Sequence, residues 1–447
     1  MVIRRTRAAA LCAAAAAIVC AAAPSPHPDP VDRASPGGPV YRPREVGTVS
    51  EVAWEWSAPE GRGLHRVLAG VSGALMVLDD GVIALAGDTG AELWHHRERG
   101  RRVARAAVTP DRETLLLAYA GHGFRDVLAL STGTGEIVGA YREDGGRGDG
   151  GREEGDLGEE HLTDGLRVSV RGEGAAVTVT ARSLFDGGRA WSHGVDPPVP
   201  DPEAFHHGDV AVTPGAVAVT GTFTDGDGDG DHTAVAVALE PDTGRVLWER
   251  EHGFTDHTAA VPELTASPDG AVLMWELPYT DPGGRLLHRL LEPATGEEVP
   301  GTFLHDVERR RVAFGADGYV DHAWDTDTDE VEYRYVGFDG TVREEVTAPA
   351  RPGESETHRG WRLSDGVLRL HFVEGPDSVR GPVTAEVLSW DGGVRRIPLG
   401  PAADGTRPEP GPHAYRAGPV AVRVPGAVLV TEDTERWRGP GRVVALR

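Results

Sequence analysis

The sequence predicts an all-β fold, a β-propeller of eight four-stranded blades whose last blade is closed by the N-terminal strand. Three observations predict it. The phrase ALAGDTGAELWH at residues 84–95 returns as ALEPDTGRVLWE at residues 238–249. The same glycine punctuation recurs at Gly90, Gly135, Gly187, Gly244, Gly296, Gly340 and Gly392, with spacings of 45, 52, 57, 52, 44 and 52 residues. Between these glycines lie short runs of alternating apolar and polar residues, and nothing with a helical period. A period near 50 made of short strands is a blade repeat.

In chain order, residues 1–23 form a leader. Arg4, Arg5 and Arg7 precede an alanine-rich run from Ala8, and small residues lead up to Pro24, which is export-signal architecture. Three fates stay open: cleavage near Ala22 or Ala23, lipid attachment at Cys20, or retention as an anchor. Val19 precedes Cys20 where lipoprotein signals carry a small residue. Cys12 and Cys20 are the only cysteines, so the body has no internal disulfide and must be held by packing. Residues 24–45, rich in Pro and Asp, read as a flexible linker, and residues 46–447 as the propeller.

Each Asp-Thr-Gly phrase reads as a hairpin corner between the last two strands of a blade. Four strands are visible between residues 210 and 251, and four more between residues 263 and 303, the last of them within EEVPGTF. Asp-Gly turns at Asp269-Gly270 and Asp317-Gly318 join first to second strands. An eighth repeat opens at residues 421–431 but the chain ends one strand short. VAWEWS at residues 52–57 has the spelling of an outer strand and is expected to supply it, leaving no free edge between first and last blades. Eight blades require that the weakly patterned residues 166–194 form one; otherwise there are seven. Residues 144–160, DGGRGDGGREEGDLGEE, read as an acidic mobile loop inserted in the ring.

Gly90/Trp94, Gly187/Trp191 and Gly244/Trp248 repeat a Gly-x-x-x-Trp spacing, and the indoles are expected to pack on neighbouring blades as structural docking groups. On these residues the chain resembles the tryptophan-docking repeat of quinoprotein-type, pyrroloquinoline-quinone-like eight-bladed propellers. Some members of that family are quinone-dependent dehydrogenases; others share the ring without a cofactor.

The enzymatic branch lacks its residues. The resemblance implies, for alcohol dehydrogenases, an Asn and acidic residues around calcium, a catalytic Asp and often a vicinal cysteine pair, and for sugar oxidisers a Lys. All 45 basic residues here are Arg, and Lys, Asn and Gln are absent, as in a very GC-rich genome. The chain also has no Gly-x-Ser-x-Gly elbow, His-Glu-x-x-His motif or lysine-bearing phosphate loop. His95-His96 and His206-His207 are adjacent pairs, and strand neighbours point to opposite faces, so neither pair is a good ligand set. One stretch could hold Ca²⁺: Asp225, Asp227, Asp229 and Asp231 alternate with glycines, although Ala236 stands where an EF-hand has its closing Glu.

A net charge of −25 argues against nucleic acid and anionic membranes as partners. The expected function is that of an exported, non-catalytic ring, a non-enzymatic family member of actinobacterial type. It would act as a binding or scaffold module outside the cell or in its envelope, requiring no cofactor, with Ca²⁺ an option and pyrroloquinoline quinone disfavoured. Its partner would be an envelope protein, a glycan or a small ligand; the ring is expected to be a monomer, touching a membrane only through its leader. The alternative is a divergent quinone-dependent oxidoreductase.

Overall fold

A repeat such as the first cannot cover its apolar residues alone, because its middle strands are apolar on both faces and need a neighbour on either side. The strands Gly73–Leu78 and Gly81–Ala86 illustrate this, being buried along their whole length. The computed structural model describes residues 31–34, 40–121, 124–144, 161–173, 176–198, 202–225, 231–255, 262–267, 269–277, 286–299, 303–305, 309–325, 327–350, 360–375, 378–400, 420–431 and 441–447. The leader, and residues 145–160 of the acidic loop, lie outside them.

The described chain is a ring of eight antiparallel four-stranded blades, and no helix forms among the described residues. Blade 1 comprises Leu64–Gly70, Gly73–Leu78, Gly81–Ala86 and Glu92–Glu98. Blade 2 runs from Arg102–Val108 to Ile137–Asp144. The weakly patterned region is a true blade 3, with strands His161–Leu162, Leu166–Glu173, Ala176–Ser183 and Arg189–Val195, which decides the number at eight. Blades 4, 5, 6 and 7 begin at Pro202–Val212, Glu263–Ala266, Arg309–Phe314 and Trp361–Arg362. Blade 8 takes Val420–Val424, Ala427–Thr431 and Arg442–Leu446 from the C-terminus and Val52–Ser57 from the other end.

The closing strand pairs as expected, Trp54 opposite Ala445 and Trp56 opposite Val443. Apolar packing also crosses the closure: Leu64, Met76 and Leu78 of blade 1 share a core cluster with Leu429, Val443 and Ala445 of blade 8. The first strands of successive blades pack on one another around the axis, while last strands such as Val342–Pro349 stand outermost and largely exposed.

Two features depart from the sequence reading. The last strand of blade 5 is Phe303–His305, and among the described residues only a bridge from Glu298 to Leu291 comes before it. Pro300, between them, has no N–H to give to a ladder. The segment read as a flexible linker is also partly structured. Val31–Ala34 pairs antiparallel with Glu92–Glu98 as a fifth strand of blade 1, Asp32 opposite Arg97 and Arg33 opposite His96.

Candidate functional site

The blade joints follow from one corner repeated. Gly90, Gly135, Gly187, Gly244 and Gly296 each return an N–H to the carbonyl four residues earlier and adopt φ values of +69 to +72°. A bulge follows in the outer strand of blades 1 to 4, and in blades 1, 3 and 4 the residue just after the extra one is Trp94, Trp191 or Trp248. The sequence pairs each Trp with the Gly four residues before it, but the docking runs one blade on. Trp94 covers Gly135, Trp191 covers Gly244 and Trp248 covers Gly296, while Gly90 receives Trp54 of the closing strand. Each indole N–H donates at 2.8 Å to the carbonyl three residues before its glycine, Gly87, Thr132, Pro241 or Pro293. Gly187 receives Tyr141 instead. Blade 2 has Gly139 where the Trp would stand, and the backbone of Phe185 closes over it. A Gly-x-x-x-Trp search misses this joint because its aromatic lies two residues later.

The corners of blades 6 and 7 are one residue shorter, with Gly340 and Gly392 bonding to carbonyls three residues back. Another arrangement joins these blades. Tyr335 of blade 6 stacks beside Trp390 at 6.5 Å and lies 3.9 Å beneath the Arg362 guanidinium. Tyr335 donates its hydroxyl hydrogen to Asp317, which also pairs with Arg343 at 2.5 Å and Arg362 at 3.5 Å. The Asp317 carboxyl is held below its usual pKa, chiefly by the Tyr335 hydrogen bond, whereas burial and then Asp317 push the Tyr335 hydroxyl up to about 12.

Turns between first and second strands ring one mouth of the central channel, and residues 40–51 cross that face as a strap. Tyr41 donates to Asp88, and Arg42 reaches Glu113 at 2.5 Å. The Arg44 carbonyl accepts from Gly426 at 2.9 Å, Glu45 accepts from Arg112 at 2.7 Å, and Thr48 donates to Asp365 at 2.5 Å. The strap therefore ties the inner turns of blades 2, 8 and 7 together. Against the chain's net −25, the eight first strands carry eight arginines and only three carboxylates, Glu203, Asp209 and Glu263.

His96 is fully buried near Tyr119 of blade 2, taking a hydrogen bond from Arg33 at 2.9 Å, while His95 faces the other way between Glu92 at 2.7 Å and Asp32 at 3.1 Å. The pair is split across the strand, as alternation requires. His206 is exposed. In the calcium stretch, Asp225 and Asp231 are strand ends paired with Pro202 and Thr255, and Asp227 and Asp229 lie outside the described residues. Among the described residues no three His, Cys, Asp or Glu side chains gather as a metal site. The residues do not fit a calcium-held quinone of the kind the resemblance implies. Asn, Lys and a vicinal cysteine pair are missing from the sequence, and the strands around the axis are arginine-rich.

No protein-family model and no curated protein matches the chain. Among solved structures it is similar to the quinohemoprotein alcohol dehydrogenase of Comamonas testosteroni, with 12% identity, a TM-score of 0.45, and coverage of 88% of this chain and 76% of that one. It is also similar to the dihydro-heme d1 dehydrogenase NirN, with 11% identity, a TM-score of 0.41, and coverage of 93% and 78%. The WD40 domain of SCAP from fission yeast gives 10% identity, a TM-score of 0.43, and coverage of 88% and 98%. The likeness is one of propeller architecture.

Proposed function

We propose that the chain is an exported, non-catalytic β-propeller that serves as a binding or scaffold module in the cell envelope or outside the cell. The observation that carries this reading is the composition of the eight first strands: eight arginines against three carboxylates offer few oxygen ligands for calcium and a quinone, and many cations for an anionic partner. A rigid ring that presents turns of independent sequence at its mouths is a binding scaffold by construction. The partner is an envelope protein, a glycan or a small ligand, the ring acts as a monomer, and a membrane is met only through the leader. Ca²⁺ held by Asp225, Asp227, Asp229 and Asp231 is part of the same proposal, as a brace for one blade edge.

The test is reconstitution with pyrroloquinoline quinone and Ca²⁺, followed by a dye-linked assay with alcohols and aldoses. No turnover is expected, and turnover would establish the oxidoreductase alternative. A parallel Ca²⁺ titration without quinone, on the chain with Asp227 and Asp229 changed to Ala as control, tests the aspartate stretch at residues 225–231.

A further inference from the structure

The two adjacent histidines of Glu92–Glu98 both meet the N-terminal strand Val31–Ala34, and each makes a different demand for protons. His95 turns Nδ1 to Glu92 at 2.7 Å and Nε2 to Asp32 at 3.1 Å. A carboxylate only accepts, so both bonds are made together only when each ring nitrogen carries a hydrogen and the ring is an imidazolium. His96 is the reverse case. Its Nδ1 lies 2.9 Å from Nε of Arg33, and a guanidinium only donates, so this nitrogen must keep its lone pair. The one hydrogen left to His96 sits on Nε2, 3.3 Å from Glu98, and the ring is neutral. Val31–Ala34 therefore docks on a charged histidine beside a neutral one.

The surroundings keep these two states apart. Around His95 stand Glu92 from its own strand and Asp32 from the N-terminal strand, with Arg99 3.7 Å from Asp32 and Arg97 opposite Asp32 in register. Its neighbour on the inner side is the apolar Ile83. Around the fully buried His96 stand Arg33, Glu98 and, from blade 2, the Tyr119 ring at 6.4 Å. Arg101 pairs with Glu98 at 3.0 Å and lies 4.9 Å over Tyr119. A second hydrogen on His96 would point at the Arg33 guanidinium. Apolar packing adds little to the docking: Val31 is 45% exposed, Ala34 is exposed, and the ladder is four residues long. So short an edge strand opens at far less cost than the blade beneath it unfolds.

We infer that Val31–Ala34 is a proton-gated latch, docked on blade 1 while His95 is charged and His96 is neutral, and released when either condition fails. Burial opposes a charge on His95, but its bonds to Glu92 and Asp32 raise the pKa. The His95 contribution is thus fully present below about pH 6.5 and is lost as pH rises through the folded value. The bond to His95 and its charge lower the Asp32 pKa. The Asp32 contribution is thus present above about pH 3.9 and is lost as pH falls through the folded value. Release bares the outer edge of blade 1 and uncovers the His96 ring. The latch goes beyond the binding reading and is independent of what the ring binds.

The test places a nitroxide on Val31→Cys in the full chain carrying Cys12→Ser and Cys20→Ser. A second label on Val342→Cys, an exposed position of blade 6, reports any unfolding. The Val31 label should be restricted at about pH 6 and freely mobile at about pH 9, with the Val342 label unchanged. His95→Gln, whose amide gains no charge, should abolish that step. Long-range nitrogen spectra of the histidine-labelled chain, assigned with His95→Gln and Arg33→Gln, should show His95 doubly protonated at about pH 6 and His96 neutral with its hydrogen on Nε2. A Val31 label indifferent to pH, whether mobile or restricted throughout, would overturn the latch. So would a step that survives in His95→Gln, or a His96 hydrogen found on Nδ1.

Discussion

Replacing Trp94 by Ala should be the most damaging single truncation at a blade joint. The indole has no solvent exposure, its N–H donates to the Thr132 carbonyl at 2.8 Å, and its face covers Gly135 so closely that a Cβ built there would fall 2.7 Å from Cδ2. Truncating a buried Trp costs about 3–5 kcal/mol in lost transfer and cavity terms. The orphaned carbonyl adds about 1 kcal/mol. Trp94→Phe keeps much of the ring but loses the N–H, and should cost about 1–2 kcal/mol. Gly135→Ala strikes the same joint from the opposite side, through a left-handed φ of +72° and the clash with the indole. Once the indole is gone the clash is gone, so Trp94→Ala with Gly135→Ala should cost less than the sum of the two singles. Urea unfolding followed by far-ultraviolet circular dichroism measures all four proteins. A loss below about 1 kcal/mol for Trp94→Ala, or strict additivity in the double variant, would refute the docking mechanism.

The remaining predictions concern closure and charge. A chain starting at Pro59 lacks Val52–Ser57 and exposes the edge of Arg442–Leu446; it should melt at a lower temperature and self-associate, as read by calorimetry and light scattering. Glu386 is fully buried in blade 7 among Arg369 at 2.5 Å, Arg396 at 2.9 Å and His371 at 3.1 Å. Glu386→Gln leaves the buried Arg369 without its counter-charge and should cost about 3–5 kcal/mol in urea unfolding. Burial alone would raise the Glu386 pKa, but the hydrogen bonds of His371 and Arg396 and the charge of Arg369 hold it well below the carboxylate range. Its stabilisation is therefore present above the unfolded value of about 4.3 and is lost as pH falls from there through the folded value, steepening acid unfolding in a way the Gln variant lacks. Burial opposes a charge on His95, but its hydrogen bonds to Glu92 and Asp32 raise the pKa. That stabilisation is fully present below about pH 6.5 and is lost as pH rises through the folded value, so amide exchange across Val31–Ala34 should quicken with pH beyond its intrinsic dependence, and less so in Asp32→Asn.

The ring was legible because a hairpin corner is a local event. Asp-Thr-Gly followed by a bulge and Trp is written in consecutive residues, and so is the outer-strand spelling of VAWEWS that supplies the missing edge. Blade 3 was nearly lost because its first strand is only His161–Leu162 and its corner reads Asp-Gly-Gly, and the joint between blades 2 and 3 escaped because Tyr141 does there what Trp does at others. The partner glycine of each indole was out of reach of a local pattern: Trp94 and Gly90 are close in sequence, but the surface that Trp94 covers is Gly135, which only the ring brings near. The strap illustrates the same limit more sharply. Residues 40–45 are too polar and proline-rich to read as structure, yet Glu45 meets Arg112 because two inner turns and a crossing segment share one mouth.

The measurement to make first is a calorimetric titration of the purified body with pyrroloquinoline quinone, run with and without Ca²⁺. Quinone carboxylates that merely meet the arginines of the mouth would give a signal indifferent to calcium. A non-catalytic binding ring predicts no calcium-dependent uptake of the quinone. Quinone binding that appears only with Ca²⁺ would contradict it and mark the ring as a divergent oxidoreductase.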